Sequence, residues 1–283
     1  MKSIKKLFAL LLSVMTLFCL TACKLITIDG EDNGAASDYQ GSGAIGLSVS
    51  TQNNPFFVTL VEGAKAAAEE NGVQLVVVDA GDDASKQVSD IEDLVAKNVS
   101  VLIVNPVDSD TVSSVVQDAV NKGVKVISAD RVVNGVDIDC QIASDNVMGA
   151  ELATQYIVDQ VGEGAKVAEL QGTSGASAAI DRGTGFHNIA DASLEVVASQ
   201  PADFDRTKGM TVMENMLQAN PDIVAVFAAN DEMALGAMEA ISAARKDVLV
   251  EALTQLTTLL LLSRKARWQV LSHSSLTLSV QHP

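Results

Sequence analysis

The segment Ser50-Thr51-Gln52-Asn53-Asn54-Pro55-Phe56-Phe57 puts amides, hydroxyls and two adjacent rings side by side, in a chain that is only 4% aromatic. Asp130-Arg131 sets a carboxylate, which accepts hydrogen bonds in pairs, next to a guanidinium, which donates them in pairs. Neighbouring hydroxyls both donate and accept, so these groups suit a polyol, and aromatic rings stack on the apolar C–H faces of a sugar. Asn105 before Pro106, Arg182 in Asp181-Arg182-Gly183, Phe204 in the run from Pro201 to Arg206 and Asn230 before Asp231 add more of the same types. Each also has a plainer reading. Pro55 can start a helix that carries Phe56 and Phe57 into a core, with one ring left to face a ligand. Asp130-Arg131 can be a solvated ion pair worth about 0–1 kcal/mol. Asn105 can be a turn former, Arg182 a surface helix residue, Phe204 a loop anchor and Asn230 a helix N-cap.

The elements that must position these residues alternate along the chain. Runs rich in Val and Ile predict strands over 44–50, 73–79, 101–104, 124–128, 166–170, 194–199, 223–227 and 247–250. Helical patterns fall between them, over 55–71, 84–97, 109–122, 146–161, 176–189, 206–219 and 231–244. This alternation predicts an α/β fold of parallel sheets covered by helices on both faces, with right-handed crossovers. In such sheets ligands bind beyond the carboxyl ends of the strands. The residues singled out above follow strands or stand in the segments around them. The layout restarts after Ile142, which predicts two similar Rossmann-like lobes facing one cleft, with Ile142–Asn146 as the hinge strand between them.

The N-terminus carries Lys2, Lys5 and Lys6, then an apolar run from Leu7 to Leu20, too short for a comfortable membrane span of about 20 residues. This pattern predicts a secretory signal peptide over residues 1–22. Residues 23–43 are rich in Gly, Ser, Asp and Asn and read as a flexible tether. The net charge is −17, and cleavage after residue 22 would remove three Lys and no acid. Such an acidic chain argues against nucleic acid, which demands basic surface. Cys19 falls in the leader, and Cys23 ends a segment, Leu20-Thr21-Ala22-Cys23, that resembles a bacterial lipobox; the modification this implies leaves Cys140 alone, so no internal disulfide is expected. No Cys/His cluster is spaced for zinc, and neither a metal nor a cofactor is expected.

Several longer stretches carry a resemblance. They are Asn53-Asn54-Pro55-Phe56-Phe57, Asn105-Pro106-Val107-Asp108-Ser109-Asp110, Ile142-Ala143-Ser144-Asp145-Asn146, Glu169-Leu170-Gln171-Gly172, the run from Ser199 to Arg206, and Ala229-Asn230-Asp231-Glu232-Met233-Ala234-Leu235-Gly236. From Ala44 to Val250 the chain resembles the ribose-binding branch of the periplasmic-binding-protein type I family. That resemblance implies lobes at 44–144 and 145–250 closing on a monosaccharide, D-ribose first, which is passed to the membrane permease of an ABC transporter. It implies that Ser50, Asn54, Phe56, Phe57, Asn105, Asp130 and Arg131 line the first lobe's side of the site, and Arg182, Phe204 and Asn230 the second lobe's. Leu20-Thr21-Ala22-Cys23 resembles a bacterial lipobox. It implies lipidation of Cys23 and a secreted chain held at the extracytoplasmic face of the membrane. Other monosaccharides, or a furanosyl signal presented to a chemoreceptor, share much of the pattern. A sugar-responsive repressor would need a DNA-binding helix pair where the leader stands. A glycosidase would need paired carboxylates, for which Asp130 and Asp231 are conceivable but no catalytic motif is present.

The tail breaks the pattern. Residues 251–283 hold one acid, Glu251, no Gly, the run Leu259-Leu260-Leu261-Leu262 and the chain's single Trp, Trp268. After Val250 the resemblance calls for Gly-Phe-Asp, whose Asp binds sugar, whereas the chain has Glu251-Ala252-Leu253. Taking the third base of each codon with the first two of the next, the tail is compatible with Gly-Phe-Asp-Ala-Thr-Asp-Asp onward. A frameshift at codon 251 is therefore expected, with an incomplete C-terminal part, exposed apolar edges and weak or absent sugar binding.

Overall fold

The computed structural model describes residues 41–253. The expected signal peptide, Cys23, nearly all of the tether, and the tail beyond Leu253 lie outside the described residues.

The Val- and Ile-rich runs form two parallel sheets. The first joins β1 (Ile45–Val49), β2 (Leu75–Asp79), β3 (Val101–Val104), β4 (Lys125–Ala129) and β5 (Cys140–Ile142) in the order β2-β1-β3-β4-β5. The second joins β6 (Lys166–Gln171), β7 (Glu195–Pro201), β8 (Ala225–Ala228) and β9 (Leu249–Ala252) in the order β7-β6-β8-β9. Every pairing is parallel. All carboxyl ends of a sheet therefore point one way, which gathers the loops that follow them.

The crossovers are α1 (Pro55–Glu70), α2 (Ala84–Ala96), α3 (Ser113–Asn121), α4 (Asn146–Val161), α5 (Ser177–Ser193), α6 (Arg206–Ala219) and α7 (Asp231–Ala243). Five of them start with an Asn or Asp whose side chain accepts a main-chain N–H of the first turn: Asn54, Asp83, Asp145, Asp205 and Asn230. Each such cap contributes about 1 kcal/mol. Because helices begin where strands end, capping also fixes polar side chains at the ligand-facing ends. On α2 the buried positions Gln87, Ile91, Leu94 and Val95 form one stripe against the sheet. In the second lobe Phe186 of α5 stacks on Phe227 of β8 at 5.0 Å, both fully buried.

Three expectations shift. The hinge strand over Ile142–Asn146 is not one element: β5 ends at Ile142, residues 143–145 carry no regular structure, and Asn146 already opens α4. The cap decides this, since the Asp145 carboxylate accepts the Met148 N–H at 3.0 Å. α3 starts at Ser113 rather than Ser109. Asp108 Oδ1 accepts the N–H groups of Asp110 and Thr111 at 3.0 and 2.7 Å, which turns the chain, and the Ser109 N–H is taken by the Gly175 carbonyl of the other lobe. β9 runs through Glu251 and Ala252.

Glu251 is buried beside Phe227, one carboxyl oxygen has no hydrogen-bond partner, and burial pushes its pKa up to about 8. The native state thus favours the protonated acid, whereas the unfolded chain ionises near 4.5. Stability from this site is intact at pH 4 and falls as pH rises through the window from 4.5 to about 8. Glu251→Gln should therefore melt several degrees above the unsubstituted chain at pH 8.5 and level with it at pH 4.5, as read by circular dichroism.

Candidate functional site

The loops at the carboxyl ends of both sheets line a cleft. Asn54, Phe56, Phe57, Asp130 and Arg131 line it from the first lobe, and Ala178, Arg182, Phe204, Asn230, Asp231, Glu232 and Leu253 from the second.

Its centre is a buried charge group. Arg131, 2% exposed, follows β4; its Nη1 donates to the Pro106 carbonyl at 2.7 Å, and its Nε lies 3.8 Å from Asp130 Oδ2. Arg182, on α5, donates through Nε to Asn146 Oδ1 at 2.8 Å and through Nη1 to the Ala229 carbonyl at 2.6 Å. Burial lowers the pKa of both guanidiniums, and Asp130 opposes that in each case. Burial in turn raises the Asp130 pKa, against the pull of Arg131 and Arg182. Asp130 is thus paired with Arg131 and lies within the electrostatic reach of Arg182 from the other lobe.

Rings flank the charges. The Arg131 guanidinium carbon lies 5.1 Å from the Phe57 ring centre and 5.6 Å from that of Phe204, which Arg182 also approaches at 5.7 Å. Such contacts are worth about 0.5–2 kcal/mol each. Phe56 and Phe57 meet edge to face at 5.1 Å. Phe57 is buried and Phe56 half-buried, yet both reach the cleft, so core and ligand-facing roles coexist in this pair. Asp130 and Phe204 hold left-handed backbones, φ +67° and +59°. That costs on the order of 1–3 kcal/mol each, and such outliers cluster at binding sites.

Asn54 and Asn230 are N-caps as well as lining residues. Asn54 Oδ1 accepts the Phe56 N–H at 2.9 Å, while Asn230 accepts the Met233 N–H at 3.0 Å and donates to the Phe204 carbonyl at 3.2 Å. The structure therefore brings eight of the ten residues singled out above to the cleft. Ser50 and Asn105 stand one layer behind it. Ser50 Oγ donates to Asn105 Oδ1 at 2.7 Å, and Asn105 Nδ2 donates to the Ala129 carbonyl at 3.0 Å, next to Asp130.

The profile of the periplasmic binding protein domain matches residues 45–258. The chain belongs to the periplasmic binding protein family. Among its relatives, the ribose import binding protein RbsB of Bacillus subtilis is 51% identical over 249 residues, covering 87% of this chain and 80% of that one. The D-apiose import binding protein of Actinobacillus succinogenes is 38% identical over 217 residues, covering 75% and 70%. Among solved structures, the Caulobacter myo-inositol binding protein bound to myo-inositol superposes with a TM-score of 0.71 at 31% identity, covering 74% of each chain. The two-sheet architecture and the position of the cleft are those expected of a type I periplasmic binding protein.

Sequence reasoning missed part of this periplasmic binding protein's site. Glu232 joins the lining, and so does Asp231, weighed in the sequence only as one of a catalytic pair. Arg206 grips Glu232 with two hydrogen bonds, 2.9 and 3.1 Å. Gln87, fully buried, holds the Asn105–Pro106 turn: its Nε2 donates to the Asn105 carbonyl at 2.9 Å and its Oε1 accepts the Val107 N–H at 2.7 Å. The signal was legible, because Gln87 is the one polar residue on an otherwise apolar helical stripe. Gln87→Leu strands two buried main-chain groups at about 1–3 kcal/mol each. It should lower unfolding free energy by about 2 kcal/mol or more in urea titration.

Proposed function

We propose that this chain is the extracytoplasmic binding component of a sugar ABC importer, that it captures a monosaccharide, ribose first, between its lobes, and that it delivers the sugar to a membrane permease. The observation that carries this reading is that Arg131 and Arg182, one from each lobe, line one cleft with Asp130, with the Arg131 guanidinium against the rings of Phe57 and Phe204. Closing the lobes desolvates the sugar, so each hydroxyl must find a partner. An unpaired buried polar group costs about 1–3 kcal/mol, and this penalty rejects the wrong stereoisomer. The identity to RbsB supports ribose over the ligands of the more distant relatives. Lipidation at Cys23 would keep the protein at the membrane surface, near its permease.

The altered C-terminus weakens capture in this reading. Leu253 lines the cleft where the resemblance puts a sugar-binding Asp, and Glu251 and Ala252 precede it in place of Gly and Phe. An apolar side chain there leaves a hydroxyl without a partner. Sequencing the gene across codon 251 tests the origin of the tail, and an intact reading frame excludes a frameshift.

Calorimetric titration of ribose, allose, apiose and myo-inositol should rank ribose first. The ligand assignment fails if another sugar gives heat and ribose gives none. The combined variant Glu251→Gly, Ala252→Phe, Leu253→Asp should bind ribose at least tenfold more tightly than the chain as it stands. Arg131→Ala or Arg182→Ala in that background should weaken binding by two orders of magnitude or more, the scale for truncating a buried charge-assisted bond.

A further inference from the structure

The two lobes are also tied together outside the cleft lining. The Ser109 N–H donates to the Gly175 carbonyl at 2.9 Å. The Ser177 N–H donates to Ser109 Oγ at 3.2 Å, and Ser177 Oγ accepts the Val132 N–H at 2.8 Å. Ser109 is fully buried and Ser177 is 9% exposed, so these bonds are shielded from water. Main-chain groups supply most of the partners, which fixes the geometry to the loops themselves.

Both sides are braced. On the first lobe, the Ser109 carbonyl accepts the Asn134 N–H at 3.0 Å, and Ser113 Oγ donates to the Asn134 carbonyl at 2.6 Å. On the second lobe, Ser177 opens α5, five residues before Arg182 on the same helix. A bond at Ser177 therefore sets where Arg182 stands relative to Asp130. Gly175 has φ +82°, and a Cβ there would collide with the Asp108 carboxylate, so the loops approach backbone to side chain with no room to spare.

We propose that Ser109, Gly175 and Ser177 form an interlobe latch that stabilises the closed arrangement and so sets sugar affinity without touching the sugar. The affinity half of this statement rests on the function proposed above; the closure half does not. Ser109 and Ser177 are positioning residues in this scheme. Each supplies one neutral hydrogen bond, which corresponds to about a three- to tenfold change in an equilibrium constant.

The test uses the full chain and two readouts: the radius of gyration of the sugar-free protein by small-angle X-ray scattering, and ribose affinity by calorimetry in the Glu251→Gly, Ala252→Phe, Leu253→Asp background. Ser109→Ala and Ser177→Ala should each raise the radius of gyration and weaken ribose binding about three- to tenfold, mainly through faster release. Gly175→Ala, which wedges the loops against Asp108, should do both more strongly. Ser89→Ala, whose hydroxyl bonds only the Ser85 carbonyl of its own helix, should leave affinity within twofold; a loss equal to that of Ser109→Ala would mean that the loss reports folding and not the latch. Unchanged scattering in all three latch variants, with melting temperatures intact, overturns the latch. If no sugar binds even where each variant also carries Glu251→Gly, Ala252→Phe and Leu253→Asp, the sugar-binding reading falls, while scattering still decides closure.

Discussion

Two buried guanidiniums from different lobes act on one carboxylate, Asp130, and the rest of the molecule is arranged around that fact. Desolvating an ion costs several kcal/mol. Arg131 and Arg182 recover it from the Pro106 and Ala229 carbonyls, the Asn146 amide oxygen and the faces of Phe57 and Phe204. Burial raises the Asp130 pKa, and the two cations oppose that rise. The approach of the lobes is thus conditional on matching charge as well as on shape. A polyol entering the group trades hydroxyl for water at each of these poles.

The layers behind the cleft follow from the same need. Ser50 orients Asn105, Asn105 backs the β4 terminus where Asp130 sits, and Gln87 holds the turn that carries Asn105 and presents the Pro106 carbonyl to Arg131. This buried chain of amides and hydroxyls reaches from α2 to the cleft. Pre-orientation of this kind lowers the entropy lost on binding.

Much of this was legible in the residues. Parallel α/β order was written in Val- and Ile-rich runs separated by capped helices, and the boundaries of α4 and α6 follow directly from Asp145 and Asp205. The cleft lining was legible where chemistry is conspicuous, as with paired rings or an adjacent acid and base. Tertiary contacts hid the rest. The start of α3 is displaced because Ser109 spends its N–H on the other lobe. The short strand β5 was invisible because Cys140-Gln141-Ile142 is too brief and too mixed to show a period. Asn230 illustrates a different limit, since capping and cleft-lining roles coincide there and the pattern alone offers them as alternatives.

The left-handed backbones at Asp130 and Phe204 carry a consequence for how such a binder changes its taste. A side chain displayed from a strained main-chain turn is aimed by the turn, and exchanging the side chain leaves the aim untouched. New ligands would then be reached most readily by lengthening, shortening or regrafting the loops after β4 and β7 as whole pieces. The sheets beneath, whose registers do not involve those loops, would carry the transplanted segments unchanged.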